Sequence, residues 1–361
     1  MNVSREVSGF SCGCCATGFP WSSMNAAAAR PLARKSCKSS STSGKRRAKP
    51  GHAPRRIDVH HHHASPRYVA ELAAFEGATH PNRQGWTPAR SIEHMDANGI
   101  EVAISSISSP GVWWGDELEK AAGRARDGNE YAAQMARDYP GRFGFFAAIP
   151  LPDVDAALTE IEYALDVLGA DGIGLLTNIG DSWLGDAAFA PVMDELNRRK
   201  SVIYTHPTAP SFCENILPGV MDSVIEYGTD TTRTIISLLL SGTADRCPDI
   251  KFIFSHGGGT MPYLLERFTR LFAQPRMAGS VPKGVLHELK RFYYEVAQIE
   301  HPGAMLCLRE LAPLSHILFG TDYPYRIPKE ILKGLKRCGF DEREWQAINR
   351  TNALRLFPRL K

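Results

Sequence analysis

Ile57-Asp58-Val59-His60-His61-His62-His63 is the stretch that decides the fold. It begins as an apolar, β-branched strand and ends in imidazoles. Side chains two apart on a strand share a face, so His60 and His62 point the same way, while His61 points toward the opposite layer and His63 begins the loop. Two imidazoles on one face of a rigid strand can chelate a metal ion. A purification tag also contains histidine runs, but a tag sits at a terminus, and this run closes an apolar strand.

Outward from that strand the chain alternates strand and helix patterns. Further strands are expected at Val102–Ile107, Gly144–Pro150, Gly172–Thr177, Val202–His206, Phe252–His256, Phe292–Ala297 and Ile317–Gly320. Helices are expected at Ser91–Asn98, Glu117–Asp138, Val154–Leu168, Ala187–Arg199, Thr231–Asp245, Met261–Phe272 and Pro302–Glu310, then at Lys329–Cys338 and Asp341–Leu356. Asp153 stands where an N-cap belongs, and Asp341 with Glu344 has the spacing of a capping box. Strand–helix alternation implies a parallel sheet with right-handed crossovers, and eight such strands suggest closure into a TIM (β/α)8 barrel, an α/β fold. An open dinucleotide-binding sheet would need G-x-G-x-x-G after its first strand, where this chain has histidines.

The ends of the expected strands carry the chemistry, and in a barrel those ends line the active-site face. Strand five ends at His206-Pro207, strand six at Ser255-His256-Gly257-Gly258-Gly259, and strand eight runs into Gly320-Thr321-Asp322-Tyr323-Pro324. Imidazoles with one carboxylate suit Zn2+ or a similar divalent ion, with a position left for water or substrate. The glycines after His256 resemble an esterase oxyanion loop, but the chain has no G-x-S-x-G elbow to accompany one. Arg267 falls on the helix after strand six, where a guanidinium can bind a carboxylate, in its own or a neighbouring subunit. Trp113 and Trp114, after strand two, can wall an aromatic ring.

Charge is divided unevenly. The 361-residue chain has a formal charge of +3, yet residues 1–56 hold 11 Lys/Arg and a single acidic residue, Glu6, so the remainder carries 31 Lys/Arg against 38 Asp/Glu. A mildly acidic body gives no reason to expect nucleic-acid binding. No apolar run is long enough for a membrane span. Residues 1–55 read as a disordered, basic N-terminal extension, with a targeting segment as the alternative, and residues 56–361 as the barrel domain. Body cysteines are scattered singly, which fits reduced thiols and a cytoplasmic protein.

His60-x-His62, His206-Pro207, Ser255-His256-Gly-Gly-Gly and Gly320-Thr-Asp322-Tyr-Pro324 together resemble the amidohydrolase-2 family, in its aminocarboxymuconate-semialdehyde decarboxylase branch. Met95-Asp96-Ala-Asn-Gly99-Ile, Arg142-Phe-Gly144 and Asn352-Ala-Leu-Arg-Leu-Phe357 extend the resemblance over the body. Leu176-Thr-Asn178, Leu184-Gly-Asp186 and Ala188-Phe-Ala-Pro191 are similar to 6-methylsalicylate-decarboxylase-like members. The resemblance implies a distorted barrel holding one divalent ion, zinc first and manganese second, with no organic cofactor. By matching positions it implies His60, His62, His206 and Asp322 as ligands, His256 with Asp322 in catalysis, and a homodimer in which Arg267 reaches the neighbour's substrate. Family semialdehyde decarboxylases carry a substrate-carboxylate arginine in a longer insert after strand one; here Ser65–Trp86 is short and holds Arg67 and Arg83, neither of which the sequence singles out for that role, which argues against the same substrate.

The expected activity is non-oxidative decarboxylation of a small aromatic or unsaturated carboxylic acid, by a metal-dependent carboxy-lyase. A metal-dependent hydrolase of a lactone, ester or amide on the same site is the alternative.

Overall fold

The computed structural model describes residues 55–77, 80–277 and 279–360. The extension expected over 1–55 thus lies outside the described residues, apart from Arg55. Among the described residues there are ten strands: β1 Arg56–His62, β2 Ile100–Ser106, β3 Phe143–Ala148, β4 Gly172–Leu176, β5 Asn178–Ile179, β6 Ser182–Trp183, β7 Val202–His206, β8 Lys251–Phe254, β9 Tyr293–Glu295 and β10 Ile317–Leu318. Eight form one parallel sheet in the order β1-β2-β3-β4-β7-β8-β9-β10, and β5 and β6 make a separate antiparallel hairpin. The sheet closes on itself. Val59 N–H donates to Phe319 C=O at 3.0 Å, Asp322 N–H to His60 C=O at 2.8 Å and His62 N–H to Tyr323 C=O at 2.8 Å. This is the expected (β/α)8 barrel.

Pleating sorts the core into two layers. Phe145 and Phe146 are neighbours on β3, yet Phe145 belongs to the cluster that holds the helix residues Ile161 and Leu196, while Phe146 joins Ile57, Ile104, Tyr204 and Ile253. Ala353, on the helix Asn352–Leu356, and Phe357 just after it belong to that second cluster. Each large buried apolar side chain contributes roughly 1.5–3 kcal/mol.

Strict alternation fails in β1. Three steps from Asp58 to His61 face two on β2, from Ala103 to Ser105, so a bulge separates them. The bulge takes Asp58 out of phase with His60 and His62 and sets its carboxylate 3.3 Å from His61 Nδ1. His61 faces the helix layer as expected, with Nε2 3.0 Å from Ser91 Oγ.

Both capping expectations hold: Asp153 Oδ1 accepts the Ala156 N–H at 3.0 Å, and Asp341 and Glu344 form a reciprocal capping box. Other helix bounds need correction. Pro66–Glu76, Pro81–Gln84 and Val285–Arg291 are helices that sequence reasoning left as loop. The helix expected at Thr231–Asp245 runs instead over Asp222–Leu240; Gly242, at φ 74°, separates it from the short helix Thr243–Arg246. No helix among the described residues is long and apolar enough to cross a membrane. Cys213, Cys247, Cys307 and Cys338 are free.

Candidate active site at the C-terminal strand ends

Residues from three strand ends converge on one buried point. His60 and His62 come from β1, His206 from the end of β7, and Asp322 from the loop after β10. One ligand atom from each lies within 4.8 Å of every other, and all four residues are buried. His60 Nε2 and His62 Nε2 face each other at 3.0 Å, and each is 3.2 Å from Asp322 Oδ1. The ring of His206 packs edge-on to both, at centroid distances of 5.4 and 4.7 Å. Its buried Nδ1 has no hydrogen-bond partner.

Nitrogen lone pairs this close repel unless a positive charge sits among them. Either a proton or a bound cation can supply it. Burial pulls His60 toward neutrality, but the carboxylates of Glu295 and Asp322 outweigh it and raise the imidazole to about 10. Burial takes His62 down to about 4 and His206 well below the usual histidine range. Burial also opposes charge on Asp322, yet His60 beside it and hydrogen bonds from His256 and His60 hold that carboxyl well below the usual range. Three imidazoles and a carboxylate around one point, with an orphaned nitrogen on His206, fit a divalent ion in place of that proton.

His256 stands at the edge of this cluster. Its Nε2 is 3.5 Å from Asp322 Oδ2 and 3.3 Å from Gln298 Nε2, and Gln298 Nε2 also donates to Asp322 Oδ2. His256, Gln298 and Asp322 have φ of 51°, 60° and 60°. Non-glycine residues seldom adopt that region, and such strain concentrates at functional sites.

Arg83 comes from the short helix Pro81–Gln84. Its Nε donates to Tyr325 Oη at 2.8 Å, its guanidinium also donates to the Ser109 carbonyl, and its side chain is 12% exposed. Tyr325 in turn packs its ring edge-on to His62 at 5.4 Å. A half-buried cation therefore lies one residue away from the metal-competent cluster.

Beside the cluster lies a cavity of about 420 Å³ between the ends of β2, β3 and β4 and the loop after β7. Trp113, Trp114, Ile107, Leu176 and Ile179 give it apolar walls. The histidines do not line it; Thr208, two residues past His206, does, and its hydroxyl bonds Ser109 Oγ at 2.9 Å. Trp114 is fixed from outside, with the Arg124 guanidinium 3.5 Å from its ring centroid. Asp230, fully buried, accepts hydrogen bonds from Thr177 Oγ1 at 2.5 Å, Asn178 Nδ2 at 2.7 Å and Trp183 Nε1 at 2.8 Å. It thereby fastens the end of β4 and the β5–β6 hairpin that flank the cavity.

The structure thus brings His60, His62, His206, His256 and Asp322 together and sets Trp113 and Trp114 on a cavity wall. Arg267 stands apart, exposed on the helix Leu265–Phe272 beside Tyr263 and Arg270. Sequence reasoning missed Gln298 and Glu295 and could not place Arg83. Glu295 carried one signal: an acidic residue at the C-terminal end of an otherwise apolar strand.

Known proteins share this arrangement of chain. The decarboxylase yanB of Aspergillus niger is 38% identical over 324 residues, covering 85% of this chain and 88% of that protein. A 6-methylsalicylic acid decarboxylase of Penicillium expansum is 35% identical over 319 residues, covering 85% and 97%. A solved structure described as an amidohydrolase II superposes with a TM-score of 0.76 at 27% identity, covering 84% of this chain and 99% of that one. The amidohydrolase family model matches residues 57–359, the whole barrel with its site, and the chain belongs to that family.

Proposed function

We propose that this protein is a metal-dependent, non-oxidative decarboxylase of a small aromatic carboxylic acid. The observation that carries the reading is the pairing of a metal-competent cluster with an apolar, tryptophan-walled cavity of about 420 Å³ and a half-buried arginine, Arg83. A hydrolase would need an attacking water aligned with a carbonyl; a decarboxylase needs a cation for the carboxylate and a dry wall for the ring. The decarboxylases among the relatives support the same choice.

His60, His62, His206 and Asp322 would hold one divalent ion, zinc by the nitrogen-rich donor set, with manganese the alternative. When bound, the ion supplies a fixed positive charge that orients the substrate's oxygens and polarises them. The chain's own residues do the rest. The cavity wall, with Trp113 and Trp114, stacks the ring and keeps water away from it. Arg83 offers the substrate anion a guanidinium already held in place by Tyr325 and Ser109. His256 gives a proton to the ring carbon that carries the carboxylate; the C–C bond then breaks, its electron pair restores the ring, and CO2 leaves. Gln298 and Asp322 hold the His256 imidazole toward the cluster.

In a homodimer Arg267, on the exposed face of its helix, would serve the neighbouring site rather than its own. The four cysteines among the described residues are free, which suits a reducing compartment, and the cytoplasm is the proposed location.

A panel of hydroxybenzoates and methylsalicylates, set beside a panel of lactones and esters, tests the reading. Phenolic products lacking the carboxyl group, formed only by the ion-loaded protein, are expected. Turnover confined to the lactones and esters would make it a hydrolase.

A further inference from the structure

We infer that Glu295 is a positioning residue that ties a candidate metal-ligand histidine to the proton-transfer histidine through one buried carboxylate. The inference rests on the decarboxylase reading above for the roles of His60 and His256, and on geometry for the rest.

Glu295 ends β9 and is fully buried. Its Oε1 lies 2.9 Å from His60 Nδ1 and accepts the main-chain N–H of His256 at 2.6 Å. Its Oε2 accepts the Ala297 N–H at 2.6 Å. Among the described residues no lysine or arginine pairs with it. A buried carboxylate without a permanent cation is costly, so its retention here calls for a role. The surrounding chain is shaped to admit it. A Cβ on Gly320 would lie 2.0 Å from Glu295 Oε2 and 2.9 Å from the His60 Cβ, so a side chain at 320 would displace the carboxylate from His60.

The consequences are directional. A carboxylate facing Nδ1 keeps that nitrogen protonated and turns the Nε2 lone pair toward His62 and Asp322, where an ion would bind. The same oxygen holds the main chain of His256, a residue at φ 51°. Ligand and proton donor therefore share one fixed reference. Second partners of this kind change metal affinity by about 10–100-fold.

The test is the Kd for Mn2+ of purified protein, by chelator competition. Glu295→Gln keeps the shape but sets an amide NH2 where only acceptors fit, and should raise the Kd at least about tenfold. Glu295→Asp, which keeps the charge, should recover part of the loss, and it carries the test if the Gln variant does not fold. Asp171→Asn is the control. Asp171 is another buried carboxylate, accepting the Phe145 N–H at 3.0 Å and pairing with Arg359 away from the site, so its loss should leave the Kd unchanged. A wild-type Kd in folded Glu295 variants would overturn the inference and leave the decarboxylase reading standing. A wild-type protein that binds neither Mn2+ nor Zn2+ would overturn both. Equal weakening in Asp171→Asn would reduce Glu295 to general stability and overturn the inference alone.

Discussion

Asp58, on the first strand, holds Thr321, beside the last: its Oδ1 accepts the Thr321 main-chain N–H at 3.0 Å and its Oδ2 accepts the Thr321 hydroxyl at 2.5 Å. The two residues are 263 positions apart in the chain, and the contact closes the barrel next to Asp322. Oδ1 also accepts the His60 N–H at 3.1 Å, so one carboxylate aligns both halves of the candidate metal site. Asp58→Asn replaces an acceptor with a donor at this seam. Hydrogen bonds to a charged group are each worth about 1.5–3 kcal/mol, and a loss of about 2–3 kcal/mol in denaturant unfolding is expected, together with weaker metal binding. Wild-type stability and metal affinity would show that closure does not depend on this contact.

Removing the ion should destabilise the fold as well as stop turnover. A ligand bound only by the native state adds about 4 kcal/mol at a thousandfold excess over its Kd. Chelation should therefore lower the melting temperature by several degrees, and added Zn2+ or Mn2+ should restore both melting temperature and CO2 release. A melting curve indifferent to chelator would count against a resident ion.

Cavity shape offers a separate prediction. Gly180, in the β5–β6 turn at φ 52°, lies under Trp113, and a Cβ there would come 2.6 Å from the indole Cζ3. Gly180→Ala should push Trp113 into the cavity. The expected result is a fall in kcat/KM of about tenfold, about 1.4 kcal/mol, with metal affinity unchanged. Unchanged kinetics would place the substrate ring elsewhere.

Away from the site, Glu195 predicts an acid limit. The Arg198 and Arg199 guanidiniums hold its carboxyl down to about 2 from an ordinary 4.5, against the opposing effect of partial burial. A depressed carboxylate stabilises the fold above its ordinary value, and that contribution is lost as pH falls from about 4.5 toward 2. Melting temperatures of wild type and Glu195→Gln should thus differ at pH 7, draw together below about pH 4.5 and converge only toward pH 2. The gap should be small, within about 1 kcal/mol, because the pair lies near the surface. A gap that widens in acid would contradict the assignment.

Much of the barrel and most of the cluster are legible in the sequence because each residue carries a local pattern. His60 and His62 share a strand face, and His206, His256 and Asp322 each follow an apolar run. Gln298 has no such pattern, and the acidic end of β9 marks Glu295 without naming its partner. The partner of Glu295 is His60, 235 residues away, and nothing near either position announces the pairing. The β1 bulge is hidden for a similar reason, since it exists only in the register with β2. The start of the helix Asp222–Leu240 is not legible in the sequence, because Val224 and Ile225 lie exposed and complete no inward stripe. The helix Pro66–Glu76 opens on a Ser65 cap and Pro66, which read equally well as a turn. Arg267 lies on the helix its spacing from His256 implies, but its exposure beside Tyr263 and Arg270, apart from the cluster, is visible only in three dimensions.

CO2 release from the ion-loaded protein and a hydroxybenzoate-type acid, with and without His256, tests the central claim most directly. The wild type should release CO2 and, in D2O, leave one deuterium on the carbon that lost it. His256→Ala should bind the ion with wild-type affinity and lose at least about 100-fold in kcat, the range expected when a general acid is removed. Equal CO2 release from the wild type and His256→Ala would contradict the account.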